Sequence, residues 1–439
     1  MSAATTIVAV RAWEALDSRG TPTVACEIEL ADGTRAKATA PAGASTGRAE
    51  ALELRDGGPR YGGRGVRRAV AGVTGAIATE LIGHDAGQQA EVDARLVALD
   101  GTPKLERLGA NAIVAVSVAT ARAAAASAGT SLASMLDRQD GEPPLMPLPM
   151  VNVISGGAHA GGAVDMQDFL VVPVGASCFA EAIEWAARVR AATRDVAAER
   201  GLPVALVADE GGLGPSLPTS RSALELLGEG IERSGLAPGG QVAIAIDVAA
   251  SQFCDGSGRY RLTDRGSSEG SREIDGQTLV EELAEWCAAF PIVSLEDPLA
   301  EEDWEGWQYA TSRLGDRVQL LGDDLLVTSR TRLQRAVTAG VANAVLVKPN
   351  QCGTLTEARD VIELARRAGY ATVVSARSGE TEEDWLADLA VGWRAGQIKV
   401  GSTTRAERTA KWNRLLAIEA QQETRFAGRA ALARGAAAG

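Results

Sequence analysis

The sequence predicts an α+β domain followed by a (β/α) barrel. Three observations carry that reading. An N-terminal stretch of strand-like alternation gives way to helical periodicity, a proline-rich seam follows, and beyond it short apolar runs recur with amphipathic helical stretches between them.

Residues 5–40 alternate as half-buried strands do, and ELADGTRAKA reads as a hairpin turning at Asp32 and Gly33. Residues 66–135 carry the helical period, including the alanine-rich ANAIVAVSVATARAAAASAG. The segment RQDGEPPLMPLP holds Pro143, Pro144, Pro147 and Pro149, a composition that resists helix and central strand alike and marks a linker. After it, VALVADE, VAIAIDV, IVSLEDP, VQLLGDD, AVLVKPN, TVVSARS and GQIKVG read as parallel strands of a closed barrel. The boundaries that follow are 1–138 for the first domain, 139–149 for the linker, 150–425 for the barrel and 426–439 for a tail.

A chain of 439 residues, 46% hydrophobic and 23% charged, can bury a sizeable core. Its net charge of -13, without a long Lys/Arg cluster, argues against nucleic acid as the main partner. MSAATTIVAVRAWEA lacks the parts of a signal peptide, and no uninterrupted apolar run approaches membrane length. Cys26, Cys178, Cys254, Cys287 and Cys352 form no CxxC pair, which points to a reduced, cytoplasmic setting.

Chemically capable residues recur where an apolar run ends. Asp247 closes VAIAID, Glu296 closes IVSLE, Asp323 closes VQLLGD, Lys348 closes AVLVK and Lys399 closes GQIK. In a (β/α) barrel such strand ends converge on one face, which is where these folds carry chemistry. Three carboxylates brought together repel one another unless positive charge lies between them, and oxygen-only ligands favour Mg²⁺ over zinc. Two lysines facing that charge are expected to have lowered pKa values, towards the range of about 7 to 8 that suits a general base. Arg377 and Ser378, beside Gly379 and ahead of an acidic helix start, suit an anion, although Arg377 could instead pair with a carboxylate such as Glu380. His84 reads as an ordinary packing histidine.

ALDSRGTPTV, APAGASTGRAEALELRDGG, LGANAIVAVSVA, VNVISGGAHAGGAVDMQDF, ADEGGLGP, AIDVAAS, SLEDPLAEEDW, GDDLLVTS, KPNQCGTLTEA, SARSGETEEDW and GQIKVG resemble the successive motifs of the enolase family, in order and over nearly the whole chain. The resemblance implies an enolase-type (β/α)8-like barrel preceded by an N-terminal α+β capping domain. It also implies Mg²⁺-dependent dehydration of 2-phosphoglycerate to phosphoenolpyruvate, with two Mg²⁺ per site, the second arriving with substrate. Carried over by position, it makes Asp247, Glu296 and Asp323 the ligands of the first Mg²⁺. Lys348 becomes the base that takes the C2 proton, and Glu210 the group that helps protonate the departing C3 hydroxyl. Lys399 would bind the substrate carboxylate, His159 would face substrate from a mobile loop, and Gln167 and Asp168 would lie near the leaving group. Arg377 and Ser378 match the phosphate site, and Ser45 matches a loop residue that closes over substrate and joins the second Mg²⁺. A small phosphorylated hydroxy acid and further copies of the chain, in a homodimer or larger homo-oligomer, are the implied partners.

Two positions depart from the family pattern: Ala376 stands where histidine is usual, and Asp168 where glutamate is usual. Pro349, Val400, Ser402 and Thr403 are smaller departures. The altered positions leave three readings open: dehydration of 2-phosphoglycerate, action on a carboxyphosphono analogue as in carboxyphosphonoenolpyruvate synthase, and a non-catalytic binding protein with the same fold.

Overall fold

Strands β1 (Ile7–Leu16), β2 (Pro22–Leu30) and β3 (Arg35–Thr39) form an antiparallel meander in the computed structural model, which describes residues 4–437 except 45, 140 and 269. The β2–β3 turn falls at Asp32 and Gly33 as the sequence predicts, with Gly33 at φ 86° and the Leu30 N–H donating to the Thr34 carbonyl. The helix Ala110–Ser127 packs on β2 and β3. Among the described residues it is the one helix that by length and composition could cross a membrane, but Asn111, Ser117, Thr120 and Arg122 interrupt its apolar run and 83% of it is buried inside the fold. It is apolar nearly all round because it is surrounded by protein.

The second unit is a closed barrel of β4 (Leu148–Ser155), β5 (Asp168–Val172), β6 (Ala243–Asp247), β7 (Ile292–Glu296), β8 (Gln319–Gly322), β9 (Ala344–Val347), β10 (Ala371–Ser375) and β11 (Gly396–Gly401). Six neighbouring pairs are parallel, but β5 runs antiparallel to both β4 and β6. The all-parallel barrel expected from the sequence is therefore corrected. The connection from β4 to β5 carries only a short 3-10 turn, Gly157–Ala160, and lacks the crossover helix that returns a chain to a parallel strand. Reversal of β5 places its first residue, Asp168, level with Ser155 and Asp247 at the end of the barrel where the other strands finish.

Three further stretches differ from the sequence reading. β4 begins at Leu148, inside the segment expected to be linker, and contains Pro149. Proline fits there because β4 pairs only with β11 at that point; its pairing with β5 starts at Val151. VALVADE forms no strand, and Leu206 within it is 85% exposed. Residues expected to be a tail close the far end of the barrel instead: Leu432 and Ala436 are buried there with Leu148, Met150 and Leu346. The Ala433 N–H donates to Gln319 Oε1, and Gln397 Nε2 donates to the Ala431 carbonyl.

Candidate active site

At the barrel mouth, Asp247 and Glu296 are the last residues of β6 and β7 and lie directly opposite each other in the ladder, while Asp323 and Lys348 follow β8 and β9 by one residue. Lys399 Nζ, from β11, donates to Asp247 Oδ2 and to Glu296 Oε2, each at 2.7 Å. Lys348 Nζ donates to Asp323 Oδ2 at 2.5 Å. Gln167 Nε2 adds a hydrogen bond to Asp247 Oδ2 at 3.0 Å. Eight expected residues, His159, Gln167, Glu210, Asp247, Lys348, Arg377, Ser378 and Lys399, line one cavity of about 20 Å³, with Ala376 in its wall. A larger hollow of about 670 Å³, bordered by Thr46, Arg48, Glu301 and Asp324, contains neither lysine nor Arg377, so the chemistry belongs to the smaller one.

The ammonium groups sit on carboxylates, and this sets their titration. For Lys348, burial alone would lower the pKa, but the Asp323 carboxylate outweighs it and holds the group above its ordinary value. For Lys399, burial is likewise outweighed, by Asp247 and Glu296, and the shift upward is large. The lowered lysine values expected from the sequence presuppose a cation beside them; without one, each ammonium faces acidic partners more closely than it faces another cation, and both values are raised. Burial, then the neighbouring Asp247 charge, raises Glu296 well above the carboxylate range.

His159 stands on the Gly157–Ala160 turn, held by the Ala158 N–H donating to Gln252 Oε1 and by its own carbonyl accepting from the Asp209 N–H. Its Nδ1 lies 2.8 Å from Asp168 Oδ2 and its Nε2 3.8 Å from Glu210 Oε1. Burial alone would lower the His159 pKa, but Asp168 and Glu210 raise it to about 9. Burial raises Glu210, yet the His159, Arg408 and lysine charges outweigh it and hold this carboxyl below its ordinary value.

Arg377 and Ser378 lie beyond β10, but the next helix starts only at Trp385, so no helix terminus supports them as the sequence suggested. Nor does Arg377 pair through its guanidinium with Glu380. It grips Glu50 of the first domain, with Nη1 3.0 Å from Oε2 and Nη2 3.3 Å from Oε1, and donates to Asn350 Oδ1. Glu380 instead meets Lys411. Ser378 Oγ accepts from the Ala44 N–H at 2.6 Å. Ser45, expected on the same loop, lies outside the described residues.

Sequence reasoning missed several supporting groups. Gln351 Nε2 bridges Asp323 and Glu50. Arg408 is fully buried and donates to the carbonyls of Arg377, Ser378 and Val400. Asp297, at φ 40°, accepts from the N–H groups of Asp323 and Asp324 and so fixes the turn that presents Asp323. Only Asp297 had a visible signal, a second carboxylate immediately after Glu296.

Among the described residues, two groups of side chains bring possible ligand atoms close enough together to hold a cation, and Asp247, Glu296 and Asp323 do not form one of them. In the cluster of Asp297, Asp323 and Asp324, Asp297 already has both oxygens on backbone N–H groups; in that of His159, Asp168 and Glu210, the Asp168 oxygens are taken by Asn152, Ser155 and His159. At Asp247, Glu296 and Asp323, Lys399, Lys348, Gln167 and Gln351 likewise occupy oxygens, but Glu296 Oε1 is buried without a hydrogen-bond partner among the described residues. An all-oxygen donor set with a spare buried oxygen fits a hard divalent cation.

Barrel-mouth lysines on carboxylates, with an imidazole–carboxylate pair in the same cavity, fit the class of (β/α)-barrel enzymes that do acid–base chemistry. The family model for the enolase N-terminal domain matches residues 7–136, and that for the enolase C-terminal TIM barrel domain matches residues 143–434. A protein named enolase from Acidothermus cellulolyticus is 51% identical over 430 residues, which cover 98% of each chain. The chain belongs to the enolase family.

Proposed function

We propose that this chain is a Mg²⁺-dependent hydro-lyase that dehydrates 2-phosphoglycerate to phosphoenolpyruvate. The observation that carries it is the placement of Lys348 and Lys399 on the mouth carboxylates, with Glu210 and His159 lining the same cavity. Identity to a protein named enolase favours this reaction over the carboxyphosphono alternative.

Asp247, Glu296 and Asp323 would hold Mg²⁺, and a second ion would arrive with substrate. When bound, the cation supplies positive charge beside the substrate carboxylate and takes up the charge of Asp323, which otherwise holds the Lys348 ammonium. Lys348 takes the C2 proton. Lys399 places its charge where the substrate carboxylate gains electron density. Arg377 and Ser378 bind the phosphate, and Gln167 orients groups near Asp247. The Glu210–His159 pair supplies the proton that lets the C3 hydroxyl leave as water. A small phosphorylated hydroxy acid is the substrate, the chain works as a homodimer or larger homo-oligomer, and its five free cysteines accord with a reduced, cytoplasmic setting.

Following C2 hydrogen exchange with solvent tests the assignment of the two proton transfers. Lys348→Ala should stop exchange, whereas Glu210→Gln should block elimination while exchange continues. Rapid exchange in the lysine variant would remove Lys348 from the role of base.

A further inference from the structure

We propose that Asp168 is a positioning residue that works through His159, fixing the imidazole so that Nε2 faces Glu210 and the substrate cavity. The kinetic part of this proposal rests on the dehydration reading; the structural part does not.

Asp168 is fully buried and does not line the cavity, although its neighbour Gln167 does. Its oxygens are divided between two tasks. Oδ1 accepts from Asn152 Nδ2 at 2.5 Å and from Ser155 Oγ at 2.9 Å, while Oδ2 lies 2.8 Å from His159 Nδ1. An ionised carboxylate only accepts, so Nδ1 must carry hydrogen, and the ring then has one way to point its other nitrogen, towards Glu210 Oε1 at 3.8 Å. The chain has two histidines; the carbonyl of the other, His84, accepts from the Ile7 N–H in the first domain. His159 is therefore the one imidazole in the cavity wall. A glutamate at position 168 would push an extra methylene into a socket already closed by Asn152, Ser155 and His159. Aspartate is the length that reaches the ring from this strand, so the departure at 168 belongs with His159 and not with the substrate.

The test uses the full chain with ¹⁵N-labelled histidine, whose two residues give few signals. The wild-type spectrum should show His159 Nδ1 protonated. In Asp168→Asn, the donors Asn152 and Ser155 keep the amide oxygen on their side, so the NH₂ group turns to the ring. His159 Nδ1 should then move to the unprotonated position. Turnover of 2-phosphoglycerate by this variant should fall roughly 10- to 100-fold in kcat, the usual cost of losing a partner that orients a functional imidazole, with KM changed by less than about twofold.

An unprotonated Nδ1 in the wild-type protein would overturn the proposal, and that measurement needs no variant to fold. An Asp168→Asn protein with unchanged kcat, or with a raised KM alone, would overturn it too, the latter by showing direct contact with substrate. A protonated Nδ1 in a wild-type protein that does not turn over 2-phosphoglycerate would support the pairing and overturn the dehydration reading.

Discussion

Ala376 puts a methyl where an imidazole is usual, in a cavity wall whose lysines, Arg377 and His159 are held by carboxylates. It is 6% exposed, and its N–H donates to the Lys399 carbonyl, so a side chain placed there points into the site on a fixed backbone. Ala376→His should raise kcat/KM on 2-phosphoglycerate, since one charge-assisted hydrogen bond contributes about 1.5–3 kcal/mol, or roughly 10- to 100-fold. Steady-state kinetics would check this, and a fall on a carboxyphosphono analogue would mark the methyl as room for a larger group. Glu50 offers a second prediction at this scale. Glu50→Gln leaves the buried Arg377 guanidinium without its carboxylate, and denaturant unfolding should show a loss of about 3 kcal/mol, with KM for the phosphorylated substrate altered as well. Unchanged stability would mean that the other partners of Arg377, Asn350 among them, satisfy it without Glu50. Asp247, Glu296, Asp323 and the lysines were legible in the sequence because each closes an apolar run, although Lys399 lies within β11 and not at its end. Glu50 was not, since it meets Arg377 across 327 positions of sequence, and neither was the direction of the lysine shifts, which depends on 2.5–2.7 Å contacts that no spacing encodes.

The elements show the same division. The meander and the parallel part of the barrel follow from alternation and from recurring apolar runs. The reversed β5 does not, because a strand reads alike in both directions, and only the helix-free β4–β5 connection hints that the chain turns straight back. That reversal brings Asp168 to the mouth as a strand's first residue, where a search for residues at strand ends passes it over. The C-terminal segment was misread for a different reason: its sequence, mostly alanine and glycine, resembles a tail, but Leu432 and Ala436 complete the far end of the barrel. Leu432→Ala should cost about 2–5 kcal/mol in chemical denaturation, while leaving kcat near wild type, because the residue lies at the end opposite the mouth. A large loss of kcat at unchanged stability would contradict that separation.

On the scale of the whole molecule, the two units are tied by buried or half-buried polar contacts. Asp93 accepts from Ser117 within the first domain and from Thr356 of the barrel, Arg122 pairs with Glu383, and Arg394 pairs with Asp137. Ala44 and Glu50 of the first domain meet Ser378 and Arg377 of the barrel. Calorimetry should therefore record one cooperative unfolding transition; two separated transitions would mean the domains are only loosely joined. The same joining makes the site a product of the whole chain, with the barrel supplying the lysines and carboxylates and the first domain covering Arg377 and Ser378. The central claim is that this site removes water from 2-phosphoglycerate. The direct measurement is to mix the purified protein with Mg²⁺ and 2-phosphoglycerate and follow enolpyruvate absorbance, with Lys348→Ala as the control. The account predicts Mg²⁺-dependent formation of phosphoenolpyruvate by the wild-type protein and none by the variant. No turnover by a folded, Mg²⁺-supplied protein, together with turnover of the carboxyphosphono analogue, would contradict it.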